Sequence, residues 1–287
     1  MEKTGFKLAT CVKLFYWKMP IPILFRMIQL RSGMKFSKKT KIKKISGLIQ
    51  ISQESSRGSL ESIDSTIFFY HPQRISRYFI GVDERLDKLL AEYLIDQIED
   101  FNPGLVIDIG SNIGEFSLAI GKRFPNSRTI RFEPSVTEGM ASLWNLRNMQ
   151  SELITRALWS EQTTLEFFMA NESGDSSLFK PRENLKSEKI EVSTLDLELR
   201  SSGATIIELV KLEAEGAEPE ILLGAPNVLR RTRYLVADLG PERGLEQSPT
   251  FNEAKSILVK SGFSLKAKNV QGRECYLYKN LLIENSR

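Results

Sequence analysis

Cysteine and histidine are nearly missing from this chain of 287 residues, which holds two cysteines, Cys11 and Cys275, and one histidine, His71. Two cysteines so far apart in the sequence argue against a disulfide framework and a zinc site, and they favour a reducing compartment. A single histidine argues against a histidine-ligated metal and a serine–histidine triad. Proton transfer in this chain is therefore expected to depend on other side chains, of which carboxylates are the natural candidates.

The chain also lacks a long uninterrupted apolar run. Its most apolar N-terminal stretch, residues 14–25, is interrupted by Lys18, Pro20 and Pro22. A membrane span needs roughly 20 predominantly apolar residues, so no span is predicted here. No small-residue cleavage site follows a clean apolar core, which argues against a cleaved signal peptide.

Negative charge is almost absent from the first 50 residues, which carry 12 Lys or Arg and one acid, a net charge of +11. The rest of the chain carries 28 Lys or Arg and 35 Asp or Glu, a net charge of −7. This split predicts a basic N-terminal arm, residues 1–62, on an acidic domain, residues 63–287. The aromatic and basic residues 1–30 could lie on an anionic membrane surface, or they could pack on the main domain.

From residue 105 onward, predicted strands alternate with predicted helices. The pattern predicts strands at 105–109, 129–133, 153–158, 209–213 and 234–238, and helices at 113–122, 135–149, 218–223 and 252–261. Further strands are predicted at 65–70, 164–169 and 190–193, and an amphipathic helix at 83–99. The segments 263–268 and 275–278 flank Gln271-Gly272 and predict an antiparallel hairpin. The fold class is therefore α/β, a doubly wound, mostly parallel sheet with a C-terminal antiparallel hairpin and a basic N-terminal extension.

The first of these strands ends in the segment Asp108-Ile-Gly-Ser-Asn-Ile-Gly114. Ligands of such sheets bind beyond the carboxyl ends of the strands, and glycines let the backbone approach a ligand closely. A dinucleotide fingerprint would read Gly-x-Gly-x-x-Gly, whereas here Asn112 stands near the place of the second glycine. Asp108 beside the turn is unfavourable for a phosphate and favourable for an ammonium group, so a cofactor with an amino-acid tail fits better.

A second acid, Glu133, ends the next strand 19 residues after Gly114. At that place its carboxylate can accept hydrogen bonds from both hydroxyls of a ribose. The two acids together favour S-adenosylmethionine over NAD. The predicted cofactor-binding residues are Asp108, Gly110, Ser111, Asn112, Gly114, Glu133, Pro134 and Ala157.

Three segments resemble the FkbM-type S-adenosylmethionine-dependent methyltransferases: Val106–Ser117, Phe132-Glu-Pro134 and Lys211–Gly224. Asn145 with Asn148, Gly174–Leu178 and Asp238–Gly244 also fit a branch of that family. The resemblance covers roughly residues 95–280 and leaves out the arm. It implies a class I methyltransferase fold and methyl transfer to a hydroxyl of a sugar, glycan or glycosylated metabolite. One departure is Glu213, where many members of the family carry Asp.

Carboxylates after the fourth strand are the candidate catalytic groups. A sugar hydroxyl is a weak nucleophile, and a positioned base accelerates its reaction by roughly 10²–10⁴-fold. Glu213 and Glu215 are the predicted catalytic residues, the first as base or acceptor-orienting group, and Asp238 is the third. A magnesium ion held by these three acids ranks below a metal-free site. Ser176, Ser177 and Arg243 are predicted on loops over the same face, where acceptor specificity is often set.

Two other functions compete with the sugar O-methyltransferase. The basic arm would suit a nucleic-acid methyltransferase, although the sequence has no Pro-Pro-Tyr/Trp-type amino-methylation motif. A membrane-docked module that binds the cofactor without turnover is the other alternative. The expected location is cytoplasmic, with peripheral contact to the inner face of a membrane through the arm.

Overall fold

A computed structural model of the chain describes residues 40–53, 65–170, 176–203, 205–269 and 271–283. The predictions made for Cys11 and for the membrane-facing residues 1–30 lie outside these ranges. The predicted domain boundary at residue 62 falls in the undescribed stretch 54–64 and stays a prediction. Among the described residues, no helix combines the length and the apolar character that crossing a bilayer requires.

The chain forms two compact units that divide between Arg85 and Leu86. The first contains a three-stranded antiparallel sheet of β1 (Lys41–Ile45), β2 (Leu48–Gln53) and β3 (Ser65–Phe69). Ser46 and Gly47, at φ +49° and +81°, form the two-residue turn between β1 and β2, the left-handed geometry that matches strand twist. A 3₁₀ helix, Pro72–Tyr78, follows, and the ring of Tyr78 stacks on Phe69 at 5.5 Å.

Helix α1, Val82–Glu92, is shorter than the helix predicted over residues 83–99. Leu94 adopts the left-handed conformation at φ +59°, and a separate 3₁₀ turn, Ile95–Gln97, follows it. A left-handed residue cannot continue an α-helix, so the apolar periodicity runs on for longer than the helix does. The prediction of a helix at this place is therefore confirmed, and its predicted end is wrong.

The second unit is built on a seven-stranded sheet with the order β14-β15-β11-β10-β4-β5-β6. Five neighbouring strands are parallel, whereas β15 is antiparallel to both β11 and β14. The predicted doubly wound sheet with an antiparallel end is thus confirmed. Its strands are β4 (Leu105–Ile109), β5 (Arg128–Phe132), β6 (Ser151–Ile154), β10 (Ile207–Leu212), β11 (Thr232–Asp238), β14 (Phe263–Asn269) and β15 (Cys275–Asn280).

Six helices of the second unit connect these strands in the described residues. They are α2 (Glu115–Arg123), α3 (Val136–Asn145), α4 (Leu195–Glu198), α5 (Glu218–Leu223), α6 (Pro226–Arg230) and α7 (Phe251–Lys260). Every residue of β4 is buried, as expected of a central strand covered on both faces. The buried apolar side chains of β4, β5, β10 and β11 join those of α5, α6 and α7 in one core.

The predicted third strand, residues 153–158, is wrong as a single element. The chain turns after β6, where the N–H of Arg156 donates to the carbonyl of Ile154 at 3.0 Å. A new strand, β7 (Ala157–Leu158), then pairs with β9 (Lys186–Ser193), whose other neighbour is β8 (Thr163–Met169). A two-stranded ribbon, β12 (Pro241–Arg243) with β13 (Ser248–Pro249), follows β11.

The order of the strands places a crevice between β4 and β10. From β4 the chain proceeds outward through β5 and β6, and it later returns to build β10 and β11 on the other side. The connection that follows β4 and the connection that follows β10 therefore lead to opposite sides of the sheet. Ligands of open α/β sheets bind where the strand order reverses in this way, beyond the carboxyl ends of the strands.

The side chain of Asn280 joins the last strand, β15, to the start of β11 and to the end of α6 by hydrogen bonds. It is fully buried, and its amide nitrogen donates to the carbonyls of Leu229 and Thr232, each at 3.0 Å.

We expect Asn280→Ala to lower the free energy of unfolding by about 2–4 kcal/mol, because buried carbonyls lose their donors. The free energy of unfolding is measured by urea denaturation, followed by circular dichroism. Exposed Asn252→Ala in α7 is the control, and equal stability of the two variants would contradict the assignment.

Candidate active site

The loop after β4, Gly110–Gly114, is folded tightly against the end of β5. The N–H groups of Gly110 and Ser111 both donate to the carbonyl of Phe132 at 3.0 Å, and the N–H of Gly114 donates to the backbone carbonyl of Ser111 at 2.8 Å. Gly110 has φ +67°, and a Cβ there would overlap the carbonyl oxygen of Glu213. Only glycine therefore lets the loop after β4 and the loop after β10 approach this closely.

Asn112 and Gly114 are also left-handed, at φ +50° and +79°. Asparagine is among the residues that tolerate this conformation, which explains why it can stand where a dinucleotide motif has glycine. The amide of Asn145 in α3 donates to the carbonyl of Ile113 at 2.7 Å and holds the loop from outside the sheet. The hydroxyl of Ser111 is buried and has no hydrogen-bond partner in the described part of the chain, so the loop offers a free polar atom.

Glu133 lies directly after β5 and faces this loop. Its Oε2 accepts from the N–H of Asn112 at 2.7 Å, and its Oε1 accepts from the N–H of Ser135 at 2.8 Å. Burial raises the pKa of Glu133 to about 7, against the opposing effect of these two bonds. Each oxygen keeps a second acceptor position, so the fixed carboxylate can accept hydrogen bonds from two neighbouring hydroxyls.

Asp108 is fully buried and contacts other protein groups. Its Oδ2 accepts from the hydroxyl of Ser117 at 2.7 Å, and its Oδ1 lies 3.3 Å from Nζ of Lys211. The same ammonium group donates to the carbonyls of Ile109 and Gly110 at 3.1 and 2.8 Å. Asp108 therefore anchors the loop after β4, and its predicted contact with an ammonium group of the cofactor stays a prediction.

Glu213, directly after β10, is bound by three donors. Its carboxylate lies 3.1 Å from Nζ of Lys211 and also accepts from the hydroxyl of Tyr93 and from Nη1 of Arg273. Burial alone would raise the pKa of Glu213, but Lys211 and Arg273 hold it well below its usual range. A carboxylate so strongly stabilised as an anion is a poor proton acceptor, and the geometry assigns it to positioning.

Arg273 connects Glu213 to the neighbouring strand. Its Nη1 lies 3.2 Å from Oδ2 of Asp238 at the end of β11 and 3.1 Å from the hydroxyl of Tyr93. Its Nε lies 3.7 Å from a carboxylate oxygen of Glu92. Sequence reasoning missed both Tyr93 and Arg273. The available signal was the place of Arg273 in the β14–β15 hairpin, one residue after the predicted turn.

Hydrogen bonds fix the backbone of the loop after β10 at Glu215 and at the residues on either side of it. Glu215 is left-handed at φ +50°, and its carbonyl accepts from the hydroxyl of Ser177 at 2.8 Å. The carboxylate of Glu218 accepts from the N–H groups of Ala214 and Gly216 at 2.8 and 3.2 Å, and from Thr250 at 3.0 Å. Glu218 therefore satisfies the donors of the loop before α5.

The remaining predicted residues lie around these loops. Pro134 is half-buried beside Glu133, and the hydroxyl of Ser176 accepts from the N–H of Ala170 at 2.9 Å. Ala157 is buried on β7, opposite Val192 in the smaller sheet. Arg243 pairs with two carboxylates, Glu220 and Glu253. The described residues contain no group of three or more His, Cys, Asp or Glu side chains suited to a metal ion.

Comparison with known proteins gives a family match over the region that carries this site. A family model described as "Methyltransferase FkbM domain" matches residues 108–265. A curated relative, the 2-O-methyltransferase NoeI of Sinorhizobium fredii (strain NBRC 101917 / NGR234), is 20% identical over 183 residues, which cover 58% of this chain and 75% of NoeI.

Similar solved structures are more distant. A candidate O-methyltransferase from Nostoc punctiforme PCC 73102 has 13% identity and a TM-score of 0.38, with 69% of this chain and 58% of that chain covered. The fibrillarin pre-rRNA processing protein of Methanococcus jannaschii has 9% identity and a TM-score of 0.45, with 85% of this chain and 98% of that chain covered. This chain thus spans little more than half of the Nostoc protein.

The close approach at Gly110 predicts a large effect of one added methyl group. Gly110→Ala should lower the free energy of unfolding by about 3 kcal/mol or more, because the new Cβ meets backbone that cannot move freely. Gly203→Ala is the matched control: its φ of +64° is similar, but nothing lies within 4 Å of the added atom. It should cost only about 1–2 kcal/mol of conformational strain. Urea denaturation measures the free energy of unfolding of both variants. Equal losses of stability in the two would contradict the close packing at Gly110.

Proposed function

We propose that this chain, which belongs to the FkbM methyltransferase family, is an O-methyltransferase that acts on a hydroxyl of a sugar, glycan or glycosylated metabolite. The chain is a methyltransferase, and S-adenosylmethionine is its methyl donor. The nature of the acceptor is our inference. The observation that carries it is the row of carboxylates, Glu213, Asp238 and Glu242, at and just beyond the carboxyl ends of two adjacent strands. Carboxylates accept hydrogen bonds from hydroxyls, and one whose pKa is not lowered can also accept the proton.

The residues after β4 and β5 fit the proposed contacts with S-adenosylmethionine. The carboxylate of Glu133, fixed by the N–H groups of Asn112 and Ser135, would accept from the ribose hydroxyls. The buried hydroxyl of Ser111, which has no partner among the residues described, would bind a further polar atom of the cofactor. The bound cofactor supplies an electrophilic methyl group on a sulfonium. The protein groups are left to orient the acceptor, exclude water and remove one proton.

The acceptor would bind at the carboxyl ends of β10 and β11. Arg273 holds Glu213 and Asp238 in place there, so the oxygens that face the acceptor are pre-positioned. The name of the relative NoeI, a 2-O-methyltransferase, supports transfer to oxygen. A hydroxyl-rich acceptor suits this polar, anionic surface better than an apolar one, because each hydroxyl finds a fixed acceptor.

Replacement of Glu133 tests the cofactor contacts. In Glu133→Gln one oxygen becomes an NH₂ group that faces a backbone N–H, so at least one ribose contact is lost. We expect the Kd for S-adenosylmethionine, measured by isothermal titration calorimetry, to rise about tenfold or more. Glu152→Gln, an exposed change on β6, is the control. Wild-type affinity in Glu133→Gln would overturn this role.

The pH dependence of binding follows from the pKa of about 7 for Glu133. Ribose hydroxyls donate to the ionised carboxylate, so binding favours the deprotonated form. Affinity should therefore increase as the pH rises through 7, by about tenfold between pH 6 and pH 8. The increase should vanish in Glu133→Gln. An affinity that falls with rising pH in the wild type would contradict the proposed contact.

The acceptor class is tested with labelled cofactor. The full chain, S-adenosylmethionine with an isotopically labelled methyl group and a carbohydrate extract of the source organism should yield methylated sugars that mass spectrometry detects. Total RNA and DNA from the same cells serve as competing acceptors. Label in nucleic acid, and none in carbohydrate, would reject the sugar acceptor while leaving the methyltransferase activity intact.

A further inference from the structure

One carboxylate at the carboxyl ends of β10 and β11 is left without a partner by the contacts described above. Glu242 lies on β12, four residues after the end of β11, and is half-buried. Its carboxylate makes no hydrogen bond or ion pair with any residue that the structure describes. It nevertheless interacts electrostatically with Asp238, Glu213 and Glu218, so it lies near the acids at the ends of both strands.

The neighbouring acids are all engaged. Glu213 is held by Lys211, Tyr93 and Arg273, and Asp238 lies 3.2 Å from Arg273. Glu218 accepts from two backbone N–H groups and from Thr250. A proton acceptor is best placed when no protein donor already stabilises it, and within this set Glu242 is the carboxylate that no donor among the described residues contacts.

The backbone that carries Glu242 is well fixed. Its N–H donates to the carbonyl of Gly240 at 3.0 Å, and β12 pairs with β13. The next residue, Arg243, is bound by Glu220 and Glu253, and its guanidinium lies 4.2 Å from the centre of the Phe179 ring. Rigid supports of this kind keep a reactive group within the narrow range of positions that proton transfer requires.

We propose that Glu242 is the catalytic residue that removes the proton from the acceptor hydroxyl, an inference that rests on the proposed O-methyl transfer. The carboxylate takes the hydroxyl proton, and the electron pair on that oxygen forms the new C–O bond to the methyl carbon. The C–S bond breaks, and its electrons remain on sulfur, which becomes a neutral thioether. The positive sulfonium and the negative carboxylate are thus replaced by two neutral groups, so charge and atoms balance.

The acidity of Glu242 supports this role. Burial, reinforced by Asp238, Glu213 and Glu218 and opposed by Arg273, raises its pKa to about 8. The charged groups that face it are therefore Asp238 at the end of β11, Glu213 after β10, Glu218 in α5 and Arg273 in the β14–β15 hairpin. A base is most effective when its pKa lies near the working pH, a condition that Glu213, with its lowered pKa, does not meet.

Glu242→Gln tests the assignment in the labelled-methyl assay with the carbohydrate extract. We expect kcat to fall by about 10²–10⁴-fold, while the Kd for S-adenosylmethionine changes less than twofold. In the wild type, kcat/KM should increase with pH through a midpoint near 8, the pKa of Glu242, and this rise should be lost in the variant. Glu246→Gln, an exposed change in the following loop, is the matched control.

Two further measurements separate chemistry from folding. Glu242→Ala with added formate should regain part of its activity, because formate can occupy the vacated space and accept the proton. Independently of turnover, carbon NMR of protein labelled at the glutamate carboxyls should show a resonance that titrates near pH 8 in the wild type and is missing in Glu242→Gln.

The outcomes distinguish this inference from the proposed function. An active wild type, with Glu242→Gln retaining the wild-type rate and pH profile, overturns the role of Glu242 alone. A wild type that methylates no carbohydrate overturns the proposed acceptor, and this inference with it. Absence of the resonance that titrates near pH 8 from the wild-type spectrum also overturns the assignment.

Discussion

The ion pairs of one buried lysine hold the two halves of the active site together. Lys211 extends from β10 and lies within 3.3 Å of Asp108 on β4 and 3.1 Å of Glu213, and it donates to the carbonyls of Ile109 and Gly110. Burying an isolated charge is costly, whereas removing one partner of a buried pair is strongly destabilising, by about 3–5 kcal/mol. The side chain is only 3% exposed, so its four contacts have little competition from water. The ammonium group therefore stabilises the close approach of the loop after β4 and the loop after β10.

Around this centre the carboxylates differ in pKa because burial raises it and only at some of them do cations outweigh that effect. Glu213 has two cations and a hydroxyl, and its pKa lies well below the usual range. Among the described residues Glu133 has only backbone N–H groups as donors, and burial raises its pKa to about 7. Glu242 has acids for neighbours and a pKa of about 8. Environments that separate the pKa values of nearby carboxylates are typical of sites where one group positions and another exchanges protons. In the proposed function, the same residue type would thus position other groups, bind hydroxyls and accept a proton within one crevice.

Much of this arrangement could be predicted from local sequence. Three local features predicted the crevice and its cofactor: the continuous apolar run of β4, the acid at the end of β5 and the glycines between them. They could do so because strand order in an α/β sheet follows from chain order and handedness. Tyr93 and Arg273 escaped prediction because they meet Glu213 from positions 120 and 60 residues away. The role of Arg273 depends on the pairing of β15 beside β11, and that of Tyr93 on the place of the turn after α1, neither of which a local pattern specifies. The end of α1 was missed because Leu94 adopts a left-handed conformation that its residue type does not favour.

The length of the side chain at position 213 determines which donors its carboxylate can reach. Glu213 receives donors from three directions: Lys211 on its own strand, Tyr93 after α1, and Arg273 in the C-terminal hairpin. An aspartate would bring its carboxylate one methylene closer to β10 and could not meet all three donors from the same backbone position. The backbone cannot move to compensate, because the carbonyl of Glu213 is packed against Gly110. The additional methylene thus lets one carboxylate reach Lys211, Tyr93 and Arg273, while Arg273 also contacts Glu92 and Asp238.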